Sequence, residues 1–278
     1  MSTSQILRSA LCALSVLAGF TACGGGGGGS SSPIPTNAPT SAPSGGPSAG
    51  PSGAAPPTSS PSGMATATPT APSASSQTIT TAQGAVDGQP NMFTPTEGDT
   101  ATGGQGSPVD GITCDPTMSN NYHVHIFLGV YYNGQLMALP TAIGMENPGA
   151  ASAGFVDSAT CFYHIHTHDS SGIVHVEDPN PNNIPITGTM YTLQNVLDVW
   201  GITTDANHFG PFTGPVEVFT SGQVYRGDQN NQVTPATDLT YWGQNAATVP
   251  LYSHEVIYVE VGPTYPTTLP NVSFYLEY

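Results

Sequence analysis

The chain has 278 residues and a net charge of −16, from 18 acidic against 2 basic residues, and only 7% of its residues are charged. Binding a phosphate backbone takes many Lys and Arg contacts, which are missing, so nucleic acid is excluded as a partner and an anionic membrane surface is repelled. From Gly24 to about Gln83 the chain is Gly, Ser, Pro, Ala and Thr, without material for a core; folding is therefore confined to one domain of under about 200 residues, still enough to bury a core.

The N-terminus reads as an export segment. Arg8 precedes an apolar run at 11–19, and Phe20, Thr21, Ala22 and Cys23 follow. Small residues before a cysteine resemble the lipobox of bacterial lipoproteins, which implies that residues 1–22 are a signal peptide and that Cys23 is lipidated as the mature N-terminus. The alternative is an ordinary signal peptide cleaved near Ala22. The apolar run is well short of the roughly 20 residues of a transmembrane helix, so the expected membrane attachment is the lipid alone. Gly24, in place of Asp, points to the outer membrane or cell surface, with the domain in the periplasm or outside the cell. Residues 23–84 then form a disordered Gly/Ser/Pro/Thr-rich tether, whose 60 or so residues would reach roughly 45 Å if flexible.

Cys12 falls in the signal and Cys23 in the lipobox, which leaves Cys114 and Cys161. In an exported chain a leftover pair predicts a disulfide, and closing a loop of about 50 residues stabilises by roughly 4 kcal/mol. Two free thiols ligating copper are the competing reading.

An extended lead-in at 85–109 is expected to open onto a single histidine-rich domain at 110–278. In YHVHIFLGVYY, from Tyr122 to Tyr132, Val124, Ile126, Leu128 and Val130 alternate with His123, His125, Phe127 and Gly129, the pattern of a half-buried strand. Asn133-Gly134 predicts a tight hairpin with 135–140 as the returning arm. In CFYHIHTHDSSGIVHVED, from Cys161 to Asp178, Tyr163, Ile165 and Thr167 share one face, and His164, His166 and His168 the other. After turn residues 169–172, Ile173, His175 and Glu177 oppose Val174 and Val176. A loop at Ser170-Ser171 sets position 166 against 175, and a loop at Ser171-Gly172 sets 168 against 175. Either register puts His164, His166, His168, His175 and Glu177 on one face; a one-residue slip would bury imidazoles among valines.

Thr192 is expected to cap a helix at 193–200, apolar at Leu193, Val196, Leu197 and Trp200 and ended by Gly201. Val216 to Arg226 reads as a hairpin about Ser221-Gly222, and 227–248 as loop. Residues 254–261 read as a strand with Ile257, Val259 and Val261 inward and His254, Val256, Tyr258 and Glu260 outward. The fold class is α+β, mainly β: antiparallel hairpins forming a sheet with one short helix packed on it.

Alternate residues of a strand lie about 6.6 Å apart and cross-strand Cβ atoms about 5 Å, so imidazoles from two strands can converge on one ion at about 2.0–2.1 Å. His166, His168 and His175 supply such ligands, and His123 and His125 join them if their strand lies alongside. His164, Glu177 and His254 are further candidates, Glu177 as ligand or general base, and Asp169 is placed to accept a hydrogen bond that fixes an imidazole tautomer. His208 reads as an ordinary polar surface residue.

The same residues resemble a domain that recurs in secreted and lipid-anchored bacterial and archaeal proteins of uncharacterised function. That domain carries YHxH before an NG hairpin, CxYxxHTHDxSGIxHxE, a TLxxxxxxWG helix and a late His-containing strand before VGP. Here these are Tyr122 to His125, Cys161 to Glu177, Thr192 to Gly201 and His254 to Pro263. The resemblance spans nearly all of 110–278 and implies no activity. The residues themselves point to an exported, lipid-anchored protein that binds a transition metal, Cu or Zn, through a histidine face, with no organic cofactor. Two other classes stay open. One is a metal-dependent hydrolase with Glu177 or Glu255 as base. The other is a surface module that binds saccharide or protein through Tyr122, Tyr131, Tyr132, Tyr163 and Trp242.

Overall fold

The computed structural model describes residues 68–90, 93, 103–119, 121–180, 191–221, 233–234 and 236–274. The signal, Cys23 and the tether up to residue 67 lie outside these residues, as do Gly222 and Arg226 of the expected 216–226 hairpin. The strands are β1 (Ser73–Thr81), β2 (Cys114–Asp115), β3 (Tyr122–Tyr132), β4 (Gln135–Met137), β5 (Met145–Glu146), β6 (Cys161–Tyr163), β7 (Ile165–His166) and β8 (Ile173–Asp178). Helix α1 (Leu193–Trp200) follows, then β9 (Thr204–Asp205), β10 (His208–Phe209), β11 (Phe212–Thr213), β12 (Val216–Thr220), β13 (Val233–Thr234), β14 (Thr240–Gly243), β15 (Val256–Val261) and β16 (Thr268–Phe274).

The large sheet runs β14-β12-β15-β3-β8-β7, with β4 also paired to β3. Most pairs are antiparallel, as expected for the mainly β class, but β15 lies parallel to β3 and β1 parallel to β16. The local signals hold where they are strongest. Asn133 and Gly134 both take the positive φ of a tight turn, and β4 returns along β3. Asn195 Oδ1 accepts the Thr192 N–H at the start of α1, and Gly201 ends the helix at φ 82°, its N–H donating to the Leu197 carbonyl. Among the described residues no helix is long and apolar enough to cross a membrane.

One face of the large sheet meets α1 in the main apolar core, where Val124, Ile126, Leu128, Ile165, Val174 and Val176 pack on Leu193, Val196, Leu197 and Trp200. The other face, expected to be wet, is also covered. The sheet β1-β16-β13 packs over Phe127, Tyr131, Phe219, Val256 and Tyr258 to make a second core with Ile79, Leu269, Val272 and Phe274. Both β3 and β15 are consequently buried on both faces, which corrects the half-buried reading of each. Ser73–Thr81 is a strand and not tether: Ile79 sits opposite Val272, and its apolar side chain in a polar run is what the second core takes up. The expected loop 227–248 likewise contains β13, β14 and short 3-10 turns at Ala236–Asp238 and Ala246–Thr248.

The disulfide Cys114–Cys161 is present, with Cα atoms 5.3 Å apart, joining β2 to β6 in a small sheet with β5. It removes both thiols from the choice of metal ligands. The tyrosine platform is not formed. Tyr122, Tyr131 and Tyr163 are buried, Tyr132 stacks on Phe212, and Trp242 is the exposed member of the set.

Candidate metal centre

The histidines enter the site through cross-strand pairing. His125 faces His175 between β3 and β8, His166 faces His175 between β7 and β8, and His123 faces Glu177. This is the register expected for a Ser170-Ser171 loop, although β7 stops at His166 and 167–172 form a wider excursion. Thr167 holds that excursion in place: its hydroxyl donates to the Pro140 carbonyl and accepts the Ile143 N–H, while its own N–H donates to the Ile143 carbonyl. Gly172, at φ 87°, lies so close to β3 that a Cβ there would stand 2.8 Å from the Phe127 ring and 2.9 Å from the Leu128 carbonyl.

Two groups of three result, His123, His125 and His175, and His166, His168 and His175, the ligand nitrogens of each lying within 4.8 Å of one another. In the first, His123 Nε2 is 3.0 Å from His125 Nε2 and 3.0 Å from His175 Nδ1, and His125 Nε2 is 3.2 Å from His175 Nδ1. In the second, His166 Nε2 and His168 Nε2 are 3.2 Å apart. An ion about 2.05 Å from nitrogens spaced by 3.0–3.2 Å would see them at angles of about 100°, close to tetrahedral, so the cluster can hold a metal ion.

At His166 and His168 protons alone do not satisfy the facing nitrogens. His166 Nδ1 is 2.8 Å from the Tyr163 carbonyl and His168 Nδ1 is 2.5 Å from the Val156 carbonyl, and a carbonyl can only accept, so both Nδ1 atoms carry the hydrogen. The two Nε2 atoms of these neutral rings then face each other with lone pairs and no proton between them. A cation between His166 and His168 would turn a repulsion between buried lone pairs into ligation.

The environment keeps the imidazoles neutral, which ligation requires. His166 is fully buried, His125, His168 and His175 are 4% exposed, and His123 keeps 17% of its side chain in contact with solvent. Burial, with His168 nearby, lowers His123 to about 4; burial, then His123, His254 and His168, lowers His125 to about 3. Burial is also the main cause that takes His166, His168 and His175 below their ordinary value. Glu177 moves the other way, pushed up to about 7 by burial although the Ser119 N–H donates to its Oε2. Its Oε1 lies 3.4 Å from His123 Nε2 and 3.8 Å from His166 Nε2, bordering both groups without joining either.

The remaining candidates go elsewhere. The chain breaks between β6 and β7 at His164, which turns its ring away to Asp115, Thr113 and the Tyr191 hydroxyl. His254, at φ 58°, packs edge-on against Phe274 beside Ser253, and its N–H donates to the His125 carbonyl, so it adjoins the centre while its ring belongs to neither histidine group. Asp169 orients no imidazole: its carboxylate accepts the N–H groups of Gly84 and Ser171 and so shapes the turn. Glu255 spends Oε2 on the Tyr252 N–H. His208 pairs with Asp205 and Thr203, away from the cluster.

The groups that orient the ligands are the carbonyls of Tyr163 and Val156, with Phe155 stacked on His168 at 4.6 Å. Carbonyl acceptors leave no trace in a sequence; the aromatic Phe155 is legible as a residue but not as a neighbour of His168. Compared with family models, with curated proteins and with solved structures, the chain matches none.

Proposed function

We propose that this is an exported, lipid-anchored protein that binds a transition metal, Cu or Zn, through the β3, β7 and β8 histidines, for binding or delivery in the cell envelope. The observation that carries the reading is the pair His166 Nε2 and His168 Nε2, buried 3.2 Å apart with their hydrogens committed to carbonyls on the far side of each ring. An all-imidazole donor set suits Cu(II) and Zn, and the disulfide removes the thiolates that would favour Cu(I). Titrating zinc or copper into the metal-free chain, purified without a histidine tag, and into its His166→Ala, His175→Ala double variant tests this. Tight binding by the native chain alone is expected; equal, weak binding by both would sink it. Anchoring is tested separately by Cys23→Ser, which should release the protein from membrane fractions.

Glu177 favours a second reading as a metal-dependent hydrolase. Its carboxylate, pushed up to about 7, stands 3.4 Å from the most solvent-accessible ligand, where a water on the metal would be activated. Turnover of an activated ester by the zinc-loaded chain, lost in Glu177→Gln without loss of zinc, is the result this reading requires.

A further inference from the structure

We propose that a cavity beside β12 and β15, at the point where the chain enters β1, binds a small organic ammonium ion between the carboxylates of Glu217 and Glu260. The cavity shares no lining residue with the histidine groups, so the inference stands apart from metal binding.

The site begins where the second core stops. On the face of the large sheet that β1 and β16 cover, Phe219 of β12 sits opposite Tyr258 of β15, and the next pair along that face is Glu217 opposite Glu260. Two carboxylates thus stand where a covered face asks for apolar side chains, and like charges directly opposite repel. Both line a cavity of about 330 Å³, within the size range of small-molecule pockets, whose walls include Phe219, Tyr265, Pro69 and Pro72. The Tyr265 hydroxyl donates to the Pro215 carbonyl, and burial followed by the charges of Glu217 and Glu260 raises its pKa, which puts both carboxylates on the Tyr265 side.

These acids lack a counter-charge. Glu260 is 1% exposed, and among the described residues its Oε1 and Glu217 Oε2 have no hydrogen-bond partner, while Gln244 Nε2 donates to Glu217 Oε1 at 3.0 Å. Burial, reinforced by Glu217, pushes Glu260 up to about 8, as expected of two close carboxylates with no cation between them. The two basic residues of the chain, Arg8 and Arg226, lie outside the described residues. A calcium-like ion requires about six to eight oxygen ligands, whereas the walls here are largely carbon. An alkylammonium answers both halves of the cavity: its N–H groups donate to the carboxylate oxygens, and its carbon chain packs on the aromatic and prolyl walls.

The test is calorimetric titration of n-butylammonium, n-butanol and calcium chloride, each separately, into the full-length, tag-free, metal-stripped chain at about 0.15 M NaCl, where exposed charges are screened. One n-butylammonium per chain is expected, with n-butanol, its neutral counterpart, and the Glu260→Gln variant each weaker by about tenfold or more. Glu260→Gln removes a repulsion and should fold at least as well as the native chain, which its urea midpoint checks. Equal affinity for n-butylammonium and n-butanol, or n-butylammonium binding unchanged in Glu260→Gln, would overturn the proposal. Calcium binding without n-butylammonium binding would overturn it in favour of a divalent ion. Binding in Arg226→Gln but not in the native chain would overturn it in favour of the chain's own arginine, and binding in neither would overturn it outright.

Discussion

Along β3, Phe127 and Tyr131 at one end and His123 and His125 at the other lie on the same face of the same strand, and both ends are covered. The aromatic end is closed by β1 and β16, and once its rings are packed it asks for nothing more. The histidine end clusters with His175, His166 and His168, and every nitrogen buried there needs a partner or costs free energy. The outer nitrogens of His166 and His168 have carbonyls; the inner ones face each other at 3.2 Å. Burial therefore stabilises one end outright and leaves the other sensitive to pH and able to hold an ion.

Acid should separate the ends most. His123 and His125 drop to about 4 and 3, and His166, His168 and His175 are lowered as well, so below the unfolded value of 6.5 the unfolded chain binds more protons, and stability is lost as pH falls. Glu177, Glu255 and Glu260, raised to about 7, 8 and 8, have the opposite sign: their contribution is present below 4.5 and lost as pH rises toward 8. The metal-free protein should accordingly be most stable near about pH 6 and unfold below about 4.5, where the carboxylates no longer oppose the histidines. Urea unfolding across pH 3–9 checks this; a flat profile would break the comparison.

At the aromatic end, Phe127→Ala should cost about 3–5 kcal/mol with or without metal, as a large-to-small change in a packed core. The same unfolding experiment in chelator and in zinc measures it. At the histidine end, zinc at about 100 times its Kd should add about 2.7 kcal/mol per occupied site. Phe127→Ala should keep that increment and His175→Ala should lose it. A metal-independent His175→Ala would mean that the two ends differ only in composition.

The smallest effect concerns a third place on the large sheet. Glu217 and Glu260 are cross-strand partners, and Glu217 Oε2 and Glu260 Oε1 have no hydrogen-bond partner. Glu260→Gln should stabilise by on the order of 1 kcal/mol at pH 8, by removing the repulsion and part of the desolvation cost, with the gain shrinking toward pH 4.5.

By itself the sequence determined what period-two and period-3.6 patterns encode: β3 and its Asn133-Gly134 turn, the shared face of His166 and His175, and the span and caps of α1; it also favoured the Cys114–Cys161 pairing as the leftover pair of a chain read as exported. It also named all five histidines that come together. Tertiary structure alone decided what covers each face. β1 meets β16 from nearly the other end of the chain, and no local pattern in a Ser/Thr-rich stretch announces such a partner. The same distinction governs the site. Alternation says which way a side chain leaves an unbroken strand, so it placed His166 and His175 correctly. It failed at His164, where the strand breaks, and at Asp169, whose partners are backbone N–H groups. Division of the histidines into two groups about His175 depends on ring orientations set by two carbonyls from Tyr163 and Val156, and atoms that every residue carries cannot be read from residue types.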